Sequence, residues 1–392
     1  MKTLKKVTMS ILIVAVVLAS QAFAYPPDNA AVLYHRAFML RSEPNDEVDK
    51  MLGDLRRGKI GLNEQIRQYV KKNRQVIEYA TVASKIENCD WGMDFSEGLD
   101  LMMPELAQLR QLSYLVMADA RIRAEKGDYR TALERCITNH KMSVHVGNDM
   151  LISYLVGITI NETANKCIAD ILFKMPDNLE TLVWLQGQMA GVSRVLPRLE
   201  AALAKEAEVC LHDMRREKIS VLLDQSSQEP NSGVDQKVIE QLRRIQREDE
   251  TYFEKSRAYY TSYMAKARSV FELPYPQVHE ELTRLAEQIE KDANEKPEAV
   301  LAHIVSPAIA KMSSNRASRD TLFNATRAAI DIHIIKAKTG KLPDTLPEGT
   351  PKDMFSGKDF IYEKTDSGFV LKCQEKDLDK NIVHQYEFKV AK

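Results

Sequence analysis

Two aromatic side chains, Trp91 and Phe95, stand among four carboxylates, Asp90, Asp94, Glu97 and Asp100, in the stretch CDWGMDFSEGLDLMMPE at 89–105. Aromatic faces beside acids suit sugar stacking and hydroxyl recognition, and two acids converging on one bond suit glycoside cleavage. The same spacing fits a structural plug, in which Trp91, Phe95, Leu99 and Met102 pack inward while the acids face water or cap the helix beginning near Pro104. A second set of oxygen ligands, Asp377, Asp379 and Asn381 in DLDKN, alternates along the chain as calcium favours. An EF-hand would add glycine at its sixth position and glutamate at its twelfth, where this chain has Ile382 and Phe388. A solvated turn between two strands therefore competes with the metal reading.

Other chemistries lack their residues. His140 and His145 miss the i, i+4 spacing of a helical zinc pair, and His279-Glu280-Glu281 opens like a zincin but has Arg284 near the place of the second histidine. No G-x-S-x-G elbow, Walker loop or cofactor fingerprint occurs, so no cofactor is expected; a serine triad scattered along the chain stays open. Cys89, Cys136, Cys167, Cys210 and Cys373 are spaced too widely for a zinc site or a small disulfide scaffold. Most read as small apolar fillers of helix faces, with one disulfide of open pairing as the alternative.

The chain opens with Lys2, Lys5 and Lys6, an apolar run from Ile11 to Ala19, and Ala22-Phe23-Ala24, the layout of a cleavable signal peptide. That run is too short for a spanning helix, which needs about 20 residues, and later apolar stretches are interrupted by charges. Residues 1–24 are thus expected to be removed, leaving Tyr25 as the mature N-terminus, no transmembrane anchor, and the periplasm or cell envelope as the destination. With 55 basic and 56 acidic residues the chain has no electrostatic footprint for nucleic acid. Apolar residues at 44% and charged ones at 28% are ordinary for a globular protein of two or three domains.

The elements that must position these residues are helical. Tyr34 and Phe38 stand one turn apart after the capping pair Asp28-Asn29, and Leu62, Ile66, Tyr69, Val70, Ile77 and Ala80 mark a long helix ending near Ile86. Helices resume at Pro104 and run to about 124, with further ones expected at 150–174, 178–191, 197–223, from about 234, at 277–292 and at 298–312. Leu273-Pro274-Tyr275-Pro276 predicts an extended break, and the polar stretch DQSSQEPNSG at 224–233 a linker. Tyr252, Tyr259, Tyr260 and Tyr263 on related faces read as core. From about 314 a helix ends at Gly340, and three strands follow, carrying Phe360 and Tyr362, then Phe369, Leu371 and Cys373, then Tyr386, Phe388 and Val390.

Gly127, Asp128, Tyr129, Ala132 and Leu133, with Ala120 before them, resemble the turn and second helix of a tetratricopeptide repeat over about one repeat. Arg123 stands where that family usually has an aromatic, and no proline closes the unit. Peptide binding in a groove is what this resemblance implies. The tail, a long helix, then GKLPDTL, then DMFSGKDFIY, then a short sheet, is similar to the C-terminal part of major pseudopilins of type II secretion. That family needs an apolar N-terminal helix and a prepilin cleavage site, whereas the apolar segment here reads as a conventional signal, so filament formation is not carried over. Helical body and tail together resemble a group of exported bacterial proteins of unknown function.

The expectation is a mainly α protein, an irregular helical bundle or α-solenoid with a small C-terminal α+β module, divided as 25–223, 234–313 and 314–392. The leading functional reading is a binding or scaffold protein with a protein, peptide or glycan partner. One rival is an enzyme acting on a glycan or peptide through the carboxylates of 89–105. Another is an envelope assembly component that docks through its tail.

Overall fold

The computed structural model describes residues 28–228, 236–306 and 308–390, which form a mainly α-helical body with a C-terminal three-stranded antiparallel sheet. The expected leader, the start at Tyr25 and residues 229–233 lie outside the described residues.

Short polar side chains start many of the helices by accepting the orphan N–H groups of a first turn. Asn29, Asn45 and Asn63 do so for α1 (Ala30–Leu40), α2 (Asp46–Arg56) and α3 (Glu64–Lys72). The long helix expected to reach Ile86 is interrupted at Asn73, which separates α3 from α4 (Arg74–Ala83). Its side chain accepts from Ser42 N at 2.9 Å and donates to Tyr69 O at 3.0 Å, a tertiary demand that periodicity does not carry. After a loop with a short 3-10 turn (Phe95–Asp100) come α5 (Pro104–Glu125), α6 (Tyr129–Val146), α7 (Leu151–Lys174) and α8 (Leu179–Ser193).

The helix expected at 197–223 is two, α9 (Leu199–Asp213) and α10 (Arg216–Gln228), and α10 occupies the first residues of the expected linker. Next are α11 (Gln236–Ile245), α12 (Glu250–Ser269), α13 (Tyr275–Glu295) and α14 (Pro297–Val305). The expected break at Leu273-Pro274-Tyr275-Pro276 is short, because Pro276 sits in the first turn of α13, where a missing N–H costs nothing. The helix α15 (Ile309–Thr339) leads to β1 (Ile361–Thr365), β2 (Gly368–Lys372) and β3 (Gln385–Lys389).

Three apolar cores run through these elements. The first joins α1 to α8 with Phe323, Ile330 and Ile334 of α15. The second joins Leu151, Tyr154 and Ile158 of α7 to α9–α14, so residues before and after the expected linker share one core. In the third, Ala325, Ala328 and Ile332 of α15 meet Phe369, Leu371 and Phe388 of the sheet. The register pairs Tyr362 with Leu371 and Leu371 with Tyr386, which stacks the expected apolar positions on one face. Among the described residues no helix is long and apolar enough to cross a membrane.

Candidate functional site

The loop after α4 is pinned at its start by a reciprocal pair of bonds. Asn29 Nδ2 donates to Asp90 O at 2.7 Å and Asp90 N donates to Asn29 Oδ1 at 2.9 Å, so the cap of α1 also anchors the loop. This places half-buried Trp91 over Tyr34, with ring centroids 5.6 Å apart, and over Phe38 at 6.4 Å, while His35 meets it edge-on. The indole N–H donates to His145 O at 3.0 Å. Trp91 is therefore a partly exposed lid on the outer face of α1, fixed to the end of α6.

The six residues singled out in 89–105 separate from one another. Trp91 and Asp90 stay together, and Asp90 Oδ1 accepts from Gly92 N at 2.9 Å. Asp94 turns back to accept from Ser96 N and Oγ at 3.0 and 2.6 Å, which holds its carboxyl below the usual range. Phe95 lies under the Lys205 ammonium of α9, 3.9 Å from the ring centroid. Glu97 is exposed, and Asp100 pairs with Lys218 of α10. Gly98 makes this docking possible: its φ is +68°, and a Cβ there would meet the Asp213 carboxylate at 2.1 Å. The 3-10 turn thus clamps the loop to α9 and α10, and its acids serve turns and ion pairs. The side chain of Leu99 lies outside the described residues.

Different carboxyls gather near Asp90. Glu105, at the start of α5, is 5% exposed, and its buried Oε1 has no hydrogen-bond partner. Burial, then the neighbouring Asp149, push its carboxyl up. Burial and then Asp90 raise Asp149, and burial raises Glu206, which accepts from Leu151 N at 3.2 Å. Burial, reinforced by Asp149 and Asp90, pushes the Cys89 thiol up to about 12. Asp149 comes from the turn between α6 and α7 and Glu206 from the middle of α9, which meets the start of α7, so no local spacing signals them.

A second feature is an open groove of about 700 Å³ between α3, α4 and the hairpin of α5 and α6. Val70, Ile77 and Ile122 give it apolar lining. Three of its four lining acids are answered by arginines: buried Arg135 donates to Asp119 at 2.9 Å and Glu78 at 2.5 Å, and Arg123 pairs with Asp119 at 2.8 Å and Asp128 at 3.2 Å, while Glu64 accepts from Gln68 at 3.2 Å. Arg123, at the position where the repeat family has an aromatic, thereby ties α5 to the cap of α6. Lys71, Arg74 and Lys126 are exposed on the same groove and, among the described residues, form no ion pair.

The oxygen ligands at 377–381 do not converge. Asp377 is fully buried; its Oδ1 accepts from Asp379 N and Lys380 N, and its Oδ2 accepts from Ser318 Oγ at 3.2 Å and His384 Nε2 at 3.1 Å. Burial works to raise this carboxyl, but the bonds from His384 and Lys380 outweigh it and hold it below the usual range. Asp379 is exposed, and Asn381, in the left-handed region at φ +53°, accepts from Lys376 at 3.1 Å. Among the described residues no three His, Cys, Asp or Glu side chains are placed to hold a metal ion. Asp377 instead ties the turn before β3 to α15. No protein-family model, curated protein or solved structure matches the chain, so function is argued from these sites alone.

Proposed function

We propose that this is an exported helical binding or scaffold protein of the periplasm or cell envelope, which holds a peptide segment in the groove between α3, α4 and α5. The observation that carries this reading is the groove's composition: an apolar lining, Glu78, Asp119 and Asp128 answered by Arg123 and Arg135, and Lys71, Arg74 and Lys126 without an ion pair among the described residues. A segment with apolar anchors and acidic flanks matches it, since charge complementarity steers encounter while apolar contact supplies affinity. The resemblance of α5 and α6 to a tetratricopeptide hairpin points the same way.

Labelled peptides alternating Leu and Glu, read by fluorescence anisotropy against Lys-containing counterparts, test it. The acidic set should bind, and reversing Lys71, Arg74 and Lys126 to Glu should weaken it at least about tenfold, with added salt doing likewise as the screening length contracts from about 10 Å at 0.1 M to about 3 Å at 1 M. Equal binding of both sets, insensitive to the reversals, would count against the groove.

A carboxylate-dependent enzyme is favoured by one observation, the unpartnered buried oxygen of Glu105 next to Asp149, both with raised pKa. Against it, Asp94, Glu97 and Asp100 point elsewhere. Glycan or peptide turnover that disappears in Glu105→Gln while the fold persists would reverse the preference.

A further inference from the structure

The most closely packed seam in the body lies between α6 and α7. A Cβ on Gly157 of α7 would meet Ser143 O of α6 at 2.8 Å, so the two backbones approach without room for a methyl group. Further along the same antiparallel seam, Asn161 Nδ2 meets His140 Nδ1 at 3.2 Å. Beyond that contact, in the same register, lie Cys136 of α6 and Cys167 of α7, each 1% exposed and near enough for each thiol to alter the other's ionisation. The structure records both as free. Gly157 keeps the seam narrow, and a disulfide needs such proximity, with Cα atoms about 4.4–6.8 Å apart.

We propose that Cys136 and Cys167 are joined by a disulfide in the exported protein, stapling α6 to α7 inside the first core. The proposal rests on the reading that the chain is exported, because an oxidising compartment supplies the disulfide donor that a reducing cytoplasm withholds. The oxidant is a protein disulfide. The Cys167 thiolate attacks one sulfur of the donor and displaces the other as thiolate; the Cys136 thiolate then attacks Cys167 sulfur and releases the donor's second thiolate. Two electrons pass to the donor, and the two thiol protons end on its dithiol. Exchange precedes the docking of α7, because the packed seam admits no donor protein. The remaining thiols have no cysteine partner: Cys89 lies in the loop by Asp90, Cys210 beside Tyr260, and Cys373 beside Asp353.

The test is thiol mapping on the full chain, expressed with its own leader, alkylated in denaturant without reductant and digested with trypsin. The cuts after Arg135 and Lys166 release CITNHK and CIADILFK, which should appear as one linked species that reductant splits, with Cys89, Cys210 and Cys373 alkylated. Five alkylated cysteines in protein that begins at Tyr25 would overturn the staple while leaving export intact. If the protein instead retains Met1, export has failed, and the staple is judged on purified chain refolded in an oxidised glutathione buffer. Formation of the same linked species there supports it, and its absence overturns it. Once formed, the bond should resist reductant in native buffer and yield in denaturant, which a surface disulfide would not do.

Discussion

For single residues, burial decides which ionisable groups can act. His145 beneath Trp91 meets Tyr34 Oη at 2.9 Å through Nδ1 and hydrogen-bonds the Ile86 carbonyl, yet burial lowers its pKa to about 4. His140 falls to about 3 and His333 to about 4 for the same chief reason. Unfolded histidine takes up its proton near pH 6.5, so as the pH falls from that value toward 4 the unfolded state binds more protons and stability is lost. Above 6.5 that contribution is complete. The raised carboxyls of Glu105, Asp149 and Glu206 act in the opposite sense, because the folded state keeps their protons to higher pH. A variant therefore isolates the histidine share. From pH 7 to 5 the wild type should lose about 2 kcal/mol more than His140→Asn in urea melts. Equal losses would mean that His140 is not held neutral. Spacing set Trp91 among four acids, but only the adjacent Asp90 stays with it, since Asp94 turns back on Ser96 within the loop and Asp100 is drawn to Lys218 by the loop's docking on α9 and α10.

Among elements, two contacts set the packing. Gly157→Ala pushes a methyl group against Ser143 O at 2.8 Å in a seam with no flexible neighbour to yield, and should destabilise the protein by about 1 to 3 kcal/mol. A melting temperature unchanged from wild type would show that the helices can part freely. Phe369 lies fully buried between α15 and the sheet, stacked on Phe388 at 5.4 Å. Phe369→Ala should cost about 3 to 5 kcal/mol and expose the amides of β2 and β3 to hydrogen exchange before those of α6. Exchange spread evenly over both regions would deny the sheet its own core. This module was legible in advance because period-two alternation and the Gly340 stop are local signals, whereas the interruption at Asn73 answers a bond from Ser42, far away along the chain.

Across the whole molecule, α15 contributes to all three cores through Ile309, the face of Phe323, Ile330 and Ile334, and the alanine face toward the sheet. Cores that share a helix lose it together, so the protein should unfold in one transition in which far-UV and near-UV circular dichroism coincide. Two separated transitions would show that the cores are independent. N-terminal sequencing of secreted material should begin at Tyr25, and a retained Met1 would remove export from the account. By itself the sequence determined the helical class, the cap of α1 at Asp28-Asn29, the α5 and α6 hairpin and the terminal sheet, because periodicity, caps and turns act over a few residues. It could not determine that residues on both sides of 224–233 share a core, that Glu105 meets Asp149, or that Cys136 faces Cys167. Those meetings depend on which helix faces pack together, and an amphipathic face specifies that it must be covered without specifying by what.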